Sequence, residues 1–271
     1  MEVLKNIKII FIDIDKTLMT DKKRITLKTR KSIKRLVDKG IYVVLTSGRD
    51  CKYCIDKSRR ALASPIVISS NGAEIYDYIN HKLLSSDYIE NEKLEKIWDY
   101  CEKNEIGLLM NTIKGRYLNK YLISDNVYKN YRLITTSREL KKLNVSQCIF
   151  IDNNFLKFMK SEKFIKQIGL DIAYFSKSFD YTIVNQNSSM DVINKNISKG
   201  SAITKLLKIL NIEKENSLCF GDYLNDLEMF EACGYKIAME NACDELKEKA
   251  DYITLSNNKN GISYFLDNYI E

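Results

Sequence analysis

Residues 7–18, IKIIFIDIDKTL, constrain the fold more tightly than any other stretch of this chain. Five of the first six are apolar, four isoleucines and a phenylalanine, which suits a strand buried on both faces of a sheet. Asp13 and Asp15 then appear where that strand should run out. A carboxylate at the end of a buried parallel strand faces the crevice in which open α/β sheets bind their ligands. Two carboxylates one residue apart repel each other, so the pair calls for a cation or a reaction to justify it. Read alone, a polar strand end that simply turns the chain serves equally well. The rest of the sequence decides.

Strand and helix alternate from there. Thr26 is placed to cap a helix over 27–39, with Ile33, Leu36 and Val37 at helical spacing and Gly40 just past the end. Residues 41–45, IYVVL, form a second short strand that ends in Thr46-Ser47-Gly48-Arg49. A helix runs on to about 63, and Pro65 precedes a third strand at 66–68. That strand ends in Ser69-Ser70-Asn71-Gly72 and a hairpin strand at 73–78. This order predicts an α/β fold, a Rossmann-like doubly wound parallel sheet. Between about 80 and 188 the pattern changes to paired strands beside helices: a helix at 92–103, strands at 107–111 and 115–124, and short helices near 125–131 and 137–143. A strand at 147–152, a helix at 154–168 and strands near 171–175 and 181–186 follow. We read residues 81–188 as an inserted α+β domain and 1–80 with 189–271 as the core. The α/β pattern resumes with Lys199-Gly200 opening a helix at 201–210. A strand at 217–220 then ends in GDYLND (221–226), and a helix follows to about 233. A strand at 235–239, a helix at 244–250, a strand at 251–255 and a closing helix complete the chain.

Composition excludes several classes. With 45% hydrophobic and 29% charged residues among 271, the chain has the make-up of an ordinary globular protein of one large or two ordinary domains. No apolar run approaches the ~20 residues that span a bilayer. Lys5 and Lys8 interrupt the amino-terminal apolar segment, which lacks a small-residue cleavage site, so no signal peptide is expected. The expected location is the cytoplasm, without membrane association, as a monomer or weak homodimer. Seven cysteines, an odd number, argue for free thiols. Cys51 and Cys54 form a CxxC, but no second pair accompanies it and His81 is the only histidine; the pair reads as one turn of a helix rather than a zinc or redox site. The net charge of +7 comes from 43 basic and 36 acidic residues scattered along the chain. Its densest clusters, 22–24 and 59–60, are short and not interleaved with aromatics. Such a surface favours anionic small molecules over nucleic acid.

At the ends of the expected parallel strands stand Asp13 and Asp15, Ser47, Asn71, and Asp222, Asn225 and Asp226, while Lys199 opens the helix before the last of these. Parallel strands bring all of them to one crevice. Several hard oxygen ligands without sulfur or imidazole select Mg²⁺. A hydroxyl, a lysine and helix-end amides select phosphate. Together they suit phosphoryl transfer.

DIDKT (13–17), TSGR (46–49), Lys199-Gly200 and GDYLND resemble the motifs of the haloacid dehalogenase-type phosphohydrolases. The insertion, the run SNGAEIYD (70–77) and the tail AMENACDELKEKADYITLSNNKNGI (238–262) are similar to the Cof-like subfamily, mostly Mg²⁺-dependent phosphatases of sugar and other small phosphates. The likeness covers the whole chain in the expected order. It implies that Asp13 is the nucleophile, giving an aspartyl-phosphate, and that Asp15 is the general acid and later base. Ser47 and Gly48 would bind the phosphoryl oxygens, with Asn71 and Asn225 reaching phosphate or substrate, and Lys199 would neutralise nucleophile and phosphate. Asp13, Asp222 and the Asp15 carbonyl would hold Mg²⁺, with Asp226 in support. The insertion would be a cap that sets specificity for a small phosphorylated substrate. Lys195 rivals Lys199, although only Lys199 precedes a glycine at a helix start. Thr46 rivals Ser47, and Arg49 suits either phosphate or a helix-face salt bridge. Tyr117, Tyr121 and Tyr128 suit packing as well as contact. Lys16 departs from the family, which usually has glycine there, and is costly only if the position needs positive φ. The alternatives are a phosphomutase of the same fold and a catalytically idle phosphate-binding protein.

Overall fold

A computed structural model describes residues 3–122, 131–152, 155–176 and 188–270. It divides into two compact units, one of residues 1–85 with 198–271 and one of residues 86–197.

In the first unit β1 (Ile9–Asp13) lies at the middle of an eight-stranded sheet. It pairs in parallel with β2 (Tyr42–Thr46) on one side and with β12 (Ser217–Gly221) on the other. Both neighbours match it residue for residue, Asp13 against Thr46 and Ile12 against Phe220. β3 (Ile66–Ser69) extends the parallel order beyond β2, and β13 (Tyr235–Ala238) and β14 (Tyr252–Ile253) extend it beyond β12. β4 (Glu74–Asp77) turns back antiparallel on β3, and β5 (Lys82–Ser86) closes that edge. Every residue of β1 is buried, as a strand covered on both faces requires.

Alternation sends its side chains two ways. Ile9 and Phe11 join Val44 and Cys219 against α6 (Lys199–Leu210) and α7 (Leu227–Ala232). On the opposite face Phe220 meets Phe265 of α9 (Gly261–Tyr269) edge to face, with centroids 5.5 Å apart. α1 (Leu27–Asp38) packs with α9 and β2, and Thr26 caps it by accepting from the Thr29 amide.

The second unit holds a six-stranded sheet in the order β10-β11-β9-β6-β7-β8. These strands are Leu170–Ser176, Ser188–Asn194, Gln147–Asp152, Gly107–Thr112, Gly115–Leu118 and Arg132–Leu133. All pairs are antiparallel except β7 with β8. Leu108, Met110, Cys148, Phe150, Met190 and Val192 share a core with Leu94, Ile97, Trp98 and Cys101 of α3 (Asn91–Asn104).

The units divide a few residues later than the expected ends at 80 and 188. β5 belongs to the first sheet, and β11 continues the second sheet to Asn194. The helix expected near 125–131 lies, but for its last residue, outside the described residues. So do Tyr128 and the strand expected near 181–186. Tyr117 is buried and receives a hydrogen bond from Arg132; Tyr121 donates to the Glu102 carbonyl. Among the described residues no helix is long and apolar enough to cross a membrane.

Candidate active site

The carboxyl ends of β12, β1 and β2 lie side by side in the first sheet, and the groups that follow them converge. Asp13 closes β1. Its Oδ1 accepts from Lys199 Nζ at 2.6 Å, and the same ammonium donates to Asp226 Oδ1 at 2.7 Å. Lys199 is only 2% exposed although it is a lysine at the first position of a helix. Lys195, the rival, is exposed and lies in the other unit. Asp226 is fully engaged. Its Oδ2 accepts from the amides of Asp222 at 2.9 Å and Tyr223 at 3.2 Å, which folds the GDYLND loop back under its own start. Gly221 permits that approach, since a Cβ there would meet the Asp226 side chain at 2.6 Å. Asp222 Oδ1 accepts from Thr17 Oγ1 at 2.6 Å, joining the two carboxylate motifs directly.

Carboxylate oxygens of Asp13, Asp222 and Asp226 all lie within 4.8 Å of one another, and all three residues are buried. Burial and the two neighbouring carboxylates push the Asp13 carboxyl well above its usual range, against the pull of Lys199. Burial, opposed by the Thr17 hydrogen bond, raises Asp222 to about 6. Burial disfavours the Lys199 ammonium, but Asp13 and Asp226 outweigh it and raise its pKa. With all three carboxylates ionised, the one ammonium would leave two negative charges uncompensated. A hard divalent cation fits that deficit and that oxygen-only donor set.

Asp15 stands apart, half-buried. It accepts from Arg49 Nε at 3.0 Å and Lys23 Nζ at 3.2 Å. Burial raises its carboxyl, but the two cations win and hold it below the usual range. Arg49 therefore forms its ion pair with Asp15, while its guanidinium also lies over the Tyr53 ring. Between Asp15 and Thr17, Lys16 adopts φ 63°, so the position does need the left-handed conformation, at a cost to lysine of roughly 1 kcal/mol or more. Its side chain is exposed.

Ser47 follows β2 and is buried, with its Oγ accepting from the Arg49 amide at 3.2 Å. Thr46 is buried too, and its Oγ1 has no partner among the described residues. Asn71 sits in a left-handed turn with its amide donating to the Ser47 carbonyl at 3.1 Å. Its side chain covers Gly48, where a Cβ would come within 2.9 Å of it. At Gly72, with φ 101°, a Cβ would collide with the Ser198 carbonyl oxygen. The SNG turn is therefore wedged against the start of the Lys199 helix. Asn225 is half-buried in the turn Leu224–Asp226.

The fold thus gathers Asp13, Lys199, Asp222 and Asp226 into one bonded cluster and lays Asn71 over Gly48 beside Ser47. Sequence reasoning gave Thr17 and Lys23 no role; Thr17 was visible only as part of DIDKT, and Lys23 only as part of the basic cluster 22–24. All seven cysteines are free. Burial pushes the Cys51 thiol to about 12 and Cys54 well up, so the CxxC in α2 (Cys51–Ala61) is inert packing.

The haloacid dehalogenase-like hydrolase family matches residues 10–266 of this chain. Over 265 residues, 98% of the chain and 96% of its relative, it is 28% identical to the Bacillus subtilis 5-amino-6-(5-phospho-D-ribitylamino)uracil phosphatase YcsE. It is 30% identical over 290 residues, 96% of the chain and 97% of its relative, to YwtE, a B. subtilis phosphatase of the same name. The crystal structure of a haloacid dehalogenase-like hydrolase from Bacteroides thetaiotaomicron superposes with a TM-score of 0.81 at 23% identity, over 96% of this chain and 98% of that one.

Proposed function

The chain belongs to the haloacid dehalogenase-like hydrolases, and we propose that it is a Mg²⁺-dependent phosphatase of small phosphate monoesters that works through an aspartyl-phosphate. The buried Asp13–Lys199–Asp226 array, with Asp222 beside it and two negative charges uncompensated, carries this reading.

Asp13 is the nucleophile. One oxygen is held by Lys199 and the other attacks phosphorus, forming the acyl-phosphate bond as the bond to the leaving alkoxide breaks. Lys199 and a bound cation together would hold Asp13 ionised against the pull of burial, and Lys199 offsets charge on the phosphoryl oxygens. Ser47 Oγ and the amides after β2 bind those oxygens, with Gly48 allowing close approach and Asn71 fixing the turn. Asp15 gives its proton to the leaving alkoxide, then takes one from the water that hydrolyses the acyl-phosphate. Paired with Arg49 and Lys23, Asp15 rests in its ionised form; an arriving phosphate competes for those cations and lets it take up from solvent the proton it must deliver. Asp13 and Asp222 would hold Mg²⁺ together with the Asp15 carbonyl, and Asp226, both oxygens occupied, orients Lys199 and the 222–223 amides. Bound there, Mg²⁺ supplies charge compensation between two anions that must meet.

These groups recognise phosphate and a cation only, so we assign choice of leaving group to the second unit as a cap. The substrate named for YcsE and YwtE belongs at the head of a panel of phosphorylated sugars and cofactors.

The test is phosphate release from an aryl phosphate. Turnover should require Mg²⁺, stop with chelator and be absent in Asp13→Asn. Turnover that persists in Asp13→Asn overturns the choice of nucleophile. An inactive wild type across the panel leaves a phosphate-binding protein.

A further inference from the structure

The turn Ile14–Leu18 links the nucleophile to the acid, and its central residue disfavours the shape it holds. Lys16 lies at φ 63°, ψ 0°, a conformation glycine adopts freely and lysine does not. What holds it comes from far along the chain. Asn241, in the connection after β13, donates from Nδ2 to the Lys16 carbonyl at 3.0 Å. Its Oδ1 accepts from the Asn257 amide at 2.9 Å. Asn257, buried after β14, donates from Nδ2 to the Met19 carbonyl at 3.0 Å and to Asp21 Oδ1 at 3.1 Å. Its Oδ1 accepts from the Asn258 amide at 2.9 Å.

Each side-chain amide thus meets a backbone carbonyl at one end and a backbone N–H at the other, which fixes its orientation without ambiguity. Together they pin the turn at Lys16 and Met19, on either side of the bond from Thr17 to Asp222. Three anchors on five residues are more than a surface turn needs to stay folded. They specify where Asp15 sits relative to Asp13, and a displacement of about 1 Å at such a position can cost on the order of a hundredfold in rate.

We propose that Asn241 and Asn257 are positioning residues of the phosphoryl-transfer site, holding the Asp15–Met19 backbone in its productive shape against the preference of Lys16. The inference rests on the phosphatase reading above. Neither residue has a hydrogen bond to Asp13, Asp15, Asp222 or Asp226, so their loss reaches the site through the turn.

A coupling experiment tests it. In the wild-type background, Asn241→Ala should lower kcat about tenfold or more while KM changes less than about threefold. In a Lys16→Gly background the same substitution should cost less than about threefold, because glycine adopts the left-handed shape without the penalty that lysine carries. Asn257→Asp keeps the acceptor for Asn258 but loses the donor to Met19 and sets a second carboxylate against Asp21, and should lower kcat at least as much as Asn257→Ala. Equal losses in both backgrounds, a change confined to KM, or full kcat in Asn241→Ala overturns the inference while the phosphatase reading stands. An inactive wild type overturns both. If Asn241→Ala fails to fold, the Asn257→Asp and Asn257→Ala pair carries the test, and full kcat in either refutes it.

Discussion

Removing the divalent cation should make the core unit less stable as pH rises, the opposite of the usual behaviour of paired carboxylates. Asp222 titrates near 6 in the fold against 3.8 for a free carboxyl, chiefly because it is buried. Between those values the folded state keeps a proton that the unfolded chain has released, so stability falls as pH rises through that window and stays lower above it. Two pKa units amount to on the order of 3 kcal/mol, the differential interaction of one group. The proposed Mg²⁺ would need the ionised carboxylates, so its stabilisation should be small at pH 5 and full at pH 7 and above. The midpoint difference between Mg²⁺-loaded and chelator-treated protein should therefore widen by on the order of 5–10 °C between pH 5 and pH 7.5. Far-ultraviolet circular dichroism or calorimetry is the assay. Fluorescence of the single tryptophan reports on the wrong unit, since Trp98 lies in α3 of the inserted domain. A Mg²⁺ increment that is the same at both pH values, or absent at both, refutes the argument that the carboxylate cluster is short of positive charge.

Thr46→Val removes a buried hydroxyl without a partner among the described residues while keeping the shape, and should raise stability by about 1 kcal/mol with turnover unchanged; a loss of turnover like that of Ser47→Ala would give Thr46 the phosphate instead. Gly72→Ala drives a methyl into the Ser198 carbonyl at a position with φ 101°, and should cost more than about 2 kcal/mol by denaturant unfolding and lower kcat by disturbing the start of the Lys199 helix. Thr17→Val takes away the one hydrogen bond that lowers the Asp222 pKa, so half-maximal activation should need several-fold more Mg²⁺, most visibly near pH 6.

Much of this was legible in the sequence because the strongest signals are local. Five apolar residues ahead of two aspartates read as a buried parallel strand, and β1 is one. Lys199-Gly200 and GDYLND were visible as motifs, but only the fold shows that Gly200 packs on the Glu228 carbonyl and Gly221 on Asp226. What stayed hidden is tertiary. Nothing in TSGR tells that Arg49 reaches 34 positions back to Asp15. Lys16 was readable only as a condition, since its φ depends on partners more than 200 residues away. β11 was missed for another reason. Its inward residues Met190 and Val192 do alternate, but the strand opens on two serines and ends on asparagine, a short pattern with few β-formers.

The place of β1 in the sheet has a consequence for how the chain is made. In the finished molecule it is flanked by β2 and β12, yet β12 begins at Ser217. A ribosome delivers β1, β2 and β3 first and then the entire inserted unit. Throughout that time a strand buried along its whole length has one row of amides and carbonyls with no strand to meet them, an open edge of the kind that recruits other chains. The insertion, whatever it selects, also sets how long the nascent core must wait for its last central strand.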